Sequence, residues 1–137
     1  MAVFPVRAAI ATASVLLAVP AIAQMAPNTP ATATAPPATG EQVFQQVCRA
    51  CHMADAKGAT GAATIPALAN NPRLTDASYP ITMVLYGRGA MPWFNQMLTP
   101  VQIANVVGYV RTHFGNNYPG PVTENDVKLI AGAKASK

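Results

Sequence analysis

Cys48-Arg49-Ala50-Cys51-His52 sets two thiols and an imidazole within five positions, and these are the only two cysteines in a chain of 137 residues. Thiols three positions apart share one helical face, a single turn from each other, and the histidine follows directly. This C-x-x-C-H spacing suits covalent haem attachment. Two thioethers can form to the two vinyl groups of one haem, and the imidazole can meet the iron from the same side. Competing uses fit less well. A disulfide across a two-residue gap closes a very small loop and stabilises little. A thioredoxin-like dithiol needs a βαβ context, which the pattern lacks. Zinc needs four ligands, and beyond the cysteines only His52 and His113 remain, with His113 expected inside the last helix.

Haem iron takes a ligand on its far face, so each methionine is a candidate. Met25 lies in an N-terminal Ala/Pro/Thr stretch, Met53 adjoins His52 on the wrong side of the iron, and Met83 sits among Ile81, Val84 and Leu85, where core packing explains it. Met91 follows Gly87-Arg88-Gly89-Ala90 and precedes Pro92, which disfavours helix at Met91 and predicts an extended strap able to reach across a flat cofactor. Met97, beside Leu98, is the rival, and an iron without a sixth ligand is the third alternative.

The elements that must position these groups are helices. Thr39-Gly40-Glu41-Gln42 has capping-box form and predicts a helix to about Cys51. The stretch between His52 and Ser78 reads mostly as loop. Ser78 to Tyr86 predicts a short helix with Pro80 in its first turn and Gly87 at its end. Thr99-Pro100-Val101-Gln102 combines an N-cap, a proline at the first helical position and a capping-box Gln. Ile103, Val106, Val107, Val110 and Phe114 then form one apolar face, with Tyr109 at its margin and Gly115-Asn116 as the stop. A short terminal helix is expected from Thr123, with Gly132 near its end. No alternating strand pattern is present. The expected fold class is all-α, with long loops that need something to pack on.

Residues 1–23 read as a cleavable signal peptide: Arg7, an apolar run from Ala8 to Val19, and Ala21-Ile22-Ala23 before Gln24. Residues 24–38 read as a flexible leader rich in Ala, Pro and Thr, and 39–137 as one domain. The expected location is therefore periplasmic, with no membrane anchor after cleavage. Net charge is +4, or +3 once Arg7 is removed, and the basic residues form no run. That balance argues against nucleic acid as a partner.

From about Gly40 to Asn116 the chain resembles the class I cytochromes c. The likeness rests on Gly40 and Phe44 in the early helix, on Cys48, Cys51 and His52, and on Pro66-Ala67-Leu68. It continues through Gly87-Arg88-Gly89-Ala90-Met91-Pro92-Trp93-Phe94 and Tyr109 in the last helix. It implies a cytochrome c fold around one haem c, with His52 as proximal and Met91 as distal ligand. It also implies that the Pro66 carbonyl accepts the His52 Nδ1 proton, and that Gly40 and Phe44 meet Val106 and Tyr109 where the first and last helices cross. Asn71-Pro72-Arg73-Leu74 with Tyr79-Pro80-Ile81 looks like the single-haem domains found with periplasmic dehydrogenases and terminal oxidases. Arg73 is then either a propionate partner or a solvated surface arginine. The function so implied is one-electron transfer between redox partner proteins, a dehydrogenase and an oxidase or other acceptor, as a monomer or as a subunit of a complex. The alternative is a peroxidase-like haem enzyme or gas binder with a labile sixth ligand. It would need acid–base groups near the strap, where Arg88 is the only ionisable residue from Gly87 to Thr99.

Overall fold

The computed structural model describes residues 38–61 and 64–135. The expected signal peptide and nearly all of the leader lie outside the described residues. Both capping boxes form as the sequence predicts. The Thr39 hydroxyl accepts from the Gln42 amide at 3.2 Å while Gln42 Oε1 accepts from the Thr39 amide at 2.8 Å. Thr99 and Gln102 repeat the arrangement at 3.3 and 2.9 Å. Each pair satisfies amides that a helix start would otherwise leave without partners.

The first helical stretch has three parts: α1 (Gly40–Val43), a π-helical turn (Phe44–Cys48) and α2 (Arg49–His52). The wide turn is closed by the Arg49 amide bonding to Phe44 O. It lies immediately before the motif, in keeping with the frequent placement of π turns at functional sites. After α2 the chain makes a two-stranded antiparallel hairpin, β1 (Ala59–Thr60) with β2 (Thr64–Ile65), in a stretch where the sequence suggested mostly loop and no strand pattern. Strands of two residues are too short to show alternation. A 3₁₀ turn (Pro72–Leu74), α3 (Ser78–Tyr86), α4 (Pro100–Thr112) and α5 (Glu124–Ala135) complete the order. None of these helices is long and apolar enough to cross a membrane.

α1 crosses α4. Buried Val43 and Phe44 pack with Val106 and Val110, and the Phe44 ring lies 5.9 Å from Tyr109 and 4.7 Å from Phe114. Gly40 makes the close crossing possible, because a Cβ there would overlap Asn105 O and stand 2.6 Å from the Tyr109 Cβ. A second apolar cluster, Ile81, Leu85, Ile103, Ala104, Val107 and Val127, joins α3 and α5 to the other side of α4.

α4 ends earlier than its apolar spacing suggests. His113 is already extended and Phe114 is left-handed at φ 58°, so Phe114 reaches the Phe44 ring from a turn rather than from a helical face. Side chains compete for the last carbonyls: Thr112 Oγ1 donates to Gly108 O at 3.0 Å, and His113 Nδ1 lies 2.8 Å from Tyr109 O. His113 is therefore exposed at the helix end instead of lying within the helix.

Buried Arg111 ties the loops to α4. Its guanidinium donates to Leu74 O at 2.9 Å, Thr75 O at 3.1 Å and Gly120 O at 2.7 Å, so three carbonyl dipoles stand where a carboxylate would usually be. The helix crossing yields a direct test. Gly40→Ala is expected to cost about 1–3 kcal/mol, the usual range for overpacking a tight contact. Urea unfolding of the haem-loaded protein measures it.

Candidate functional site

The motif occupies the end of the first helical stretch. Cys48 is half-buried and Cys51 exposed, and the two thiols are not bonded to each other. Burial, with a smaller contribution from neighbouring Cys51, pushes the Cys48 thiol up to about 11, so it is a thiol rather than a thiolate at neutral pH. His52, the last residue of α2, is 8% exposed. Its Nδ1 lies 3.0 Å from the Pro66 carbonyl, a group that can only accept, so Nδ1 carries the proton and Nε2 keeps its lone pair. Burial lowers the imidazole below its ordinary value, and the Pro66 bond opposes this only in part. A neutral ring with Nε2 as its free donor is the form that ligates a metal.

The chain beyond His52 is folded back hard. Met53 and Ala56 adopt left-handed conformations at φ 66° and 57°, and Gly58 follows at φ 71°. The Gly58 amide donates to His52 O at 3.1 Å, and Ala56 O accepts from both the Leu68 and the Ala69 amides. This brings residues 66–69 against the motif. The same loop is held from behind by buried Asn116, whose Nδ2 donates to Leu68 O and Val110 O at 2.8 Å each while its Oδ1 accepts from the Asn71 amide at 2.9 Å. Asn116 was legible only as a helix stop, and its side-chain role had no sequence signal.

Met91 lies on a closed turn. The amides and carbonyls of Arg88 and Met91 bond to each other at 3.0 and 3.1 Å, with Gly89 at φ 59° between them. Both ends of the strap are fixed to α3: the Gly87 amide donates to Met83 O at 2.8 Å and the Phe94 amide to Val84 O at 2.9 Å. Gly87 itself has room for no side chain, since a Cβ would overlap Met91 O and stand 2.8 Å from the Pro92 carbonyl carbon. Met91 is half-buried, whereas Met97 is 67% and Trp93 60% exposed. Arg73 is exposed, and its backbone amide is capped by Asn71 Oδ1 at 3.0 Å.

The donor set fits a haem: two unlinked thiols at C-x-x-C spacing, a neutral imidazole with Nε2 available, and a thioether on a pinned strap. Residues 35–110 match the sequence profile of cytochrome c oxidase, cbb3-type, subunit III. The chain belongs to this family of c-type cytochromes. Covalently attached haem c is the cofactor of such cytochromes, and Cys48 and Cys51 occupy the C-x-x-C-H position. This cytochrome is 32% identical over 104 residues to the cytochrome c subunit of a quinone alcohol dehydrogenase from Gluconobacter oxydans (strain 621H), an alignment covering 66% of the chain and 21% of that subunit. The corresponding subunit of Komagataeibacter europaeus is 33% identical over 104 residues, covering 66% and 22%. Cytochrome c6 of Gloeothece citriformis (strain PCC 7424) is 36% identical over 72 residues, covering 52% and 66%. The chain thus spans about a fifth of the length of the dehydrogenase subunits it matches. The all-α expectation and the class I resemblance are borne out at the level of fold and family.

Asn116→Ala tests the loop anchor. It strands two carbonyls and one amide at about 1–3 kcal/mol for each group left unsatisfied, reduced where water can reach. An overall loss of about 2–4 kcal/mol is expected in urea unfolding, with haem still attached.

Proposed function

We propose that this c-type cytochrome is an exported one-electron carrier whose haem is held by Cys48 and Cys51 and ligated by His52 and Met91. The observation that carries the reading is the buried His52 ring, its Nδ1 engaged by Pro66 and its Nε2 left as the donor, at the end of the helix bearing both thiols. When bound, the haem supplies a reversible one-electron iron couple. The protein's part is to keep that couple's surroundings fixed. Pro66 O holds the imidazole orientation and raises its basicity. The Arg88–Met91 turn and the two bonds to α3 keep the thioether in one place, so little need reorganise when charge changes.

His/Met ligation gives a relatively high reduction potential and leaves no iron position open to substrate. The strap also offers little for acid–base catalysis: Arg88 is its only ionisable residue and is exposed. Both points favour electron transfer over the peroxidase-like alternative. The partner classes we infer are a quinone-linked dehydrogenase as donor and a terminal oxidase as acceptor, in line with what the relatives are. Export is inferred from the signal-like composition of residues 1–23. Arg73, being exposed, serves as a propionate partner only if a propionate extends to that surface.

Met91→Ala is expected to keep the haem covalently bound and to lower the reduction potential in protein-film voltammetry, whereas Met97→Ala leaves the potential unchanged. The reverse pattern would assign the ligand to Met97. Docking is a second test. Subtracting about 2 for the propionates leaves the mature charge near +1, so long-range steering is weak. Contact then rests on apolar surface beside Met91 and exposed Trp93. Stopped-flow electron transfer with the partner is expected to vary only modestly over a salt series; a steep fall would show charge pairing in control.

A further inference from the structure

We infer that Gly58 is a positioning residue that sets the strength of the His52–Pro66 hydrogen bond and, through it, the reduction potential. The inference rests on His52 being the proximal ligand. Gly58 is bonded on one side to the histidine's own backbone, its amide donating to His52 O at 3.1 Å. On the other side it lies against the acceptor. A Cβ built there would overlap Ile65 O and stand 2.8 Å from the Pro66 carbonyl carbon and 2.9 Å from its oxygen. Glycine is thus the thinnest spacer that can separate the His52 backbone from the Pro66 carbonyl, and the 3.0 Å bond to Nδ1 exists at that spacing.

Two properties are combined at this position, and they separate experimentally. Its φ of 71° is left-handed, which Asn tolerates better than most residues. Its lack of a side chain is a matter of volume, which Asn does not reproduce. If Gly58 only permits a turn, Asn can replace it. If it sets the Pro66 carbonyl distance, any Cβ pushes that carbonyl away. A weaker acceptor leaves the imidazole less basic and the oxidised iron less stabilised, so the potential rises. Gly61, on the same hairpin, supplies the control, because none of the other described residues comes within 4 Å of a Cβ built there.

The test uses the haem-loaded protein carrying Gly58→Ala, Gly58→Asn or Gly61→Ala. Three quantities are read: the potential, the exchange rate of the His52 Nδ1 proton by NMR, and the far-red Met–iron absorption. Both Gly58 variants are expected to keep that absorption, to speed exchange about tenfold, and to raise the potential by several-fold in the oxidised-to-reduced equilibrium, where tenfold is about 59 mV for one electron. Gly61→Ala is expected to change none of the three. An unaltered potential and exchange rate in Gly58→Asn overturns the inference and leaves only a turn-forming role. If neither variant retains haem, hydrogen exchange in the unaltered protein decides. Matching protection of the Gly58 amide and the His52 ring proton supports the coupling, and unequal protection overturns it. Absence of an iron-shifted His52 ring signal in the unaltered protein would instead overturn the ligand assignment itself, whatever the variants do.

Discussion

The hydrogen bond from His52 Nδ1 to the Pro66 carbonyl is the constraint around which the rest of the chain is arranged. A buried imidazole with no acceptor would forfeit about 1–3 kcal/mol and could take either tautomer. With Pro66 O in place, one tautomer is fixed and the lone pair of Nε2 is aimed by a rigid ring. The acceptor lies fourteen residues along the chain, so it can be supplied only if the intervening loop is brought back and held. The left-handed turns after His52, the double acceptance at Ala56 O and the Asn116 anchor all act on that loop.

Main-chain carbonyls, rather than ion pairs, are what the loops are fastened by. The two ion pairs among the described residues, Lys57 with Asp55 and Lys128 with Glu124, are solvent-exposed and contribute little. By contrast, Arg111 and Asn116 are buried and together grip five carbonyls from loops and helix ends. Both stand at the C-terminal end of α4 or just beyond it. The helix that crosses α1 therefore also holds the loop carrying the Pro66 carbonyl and the segment leading into α3, from which the Met91 strap is suspended. Packing of the helices and placement of the candidate ligands are in this way mechanically linked.

Helix starts were legible because they depend on neighbours three residues away: Thr39 with Gln42, and Thr99 with Gln102. The C-x-x-C-H motif was legible for the same reason. The end of α4 was not, because Phe114 continues the apolar spacing although the backbone has already turned, drawn to Phe44 seventy positions earlier in the sequence. The π turn at Phe44–Cys48 leaves no compositional mark, and the hairpin strands are too short for a period to appear. Asn116 and Arg111 look like ordinary polar residues at a helix end, and only tertiary structure supplies the carbonyls they bind. The position of Met91 could be read from Gly87 and Pro92, but the ring of bonds between Arg88 and Met91 could not.

Near-infrared magnetic circular dichroism of the purified oxidised protein tests the central claim most directly, because the energy of its porphyrin-to-iron band depends on the pair of axial ligands. The account predicts a single low-spin band at the position of an imidazole–thioether pair, lost once denaturant displaces Met91 although the haem stays covalently attached. A band characteristic of a bis-imidazole pair, or a high-spin spectrum with an open or water-bound sixth position, would contradict it.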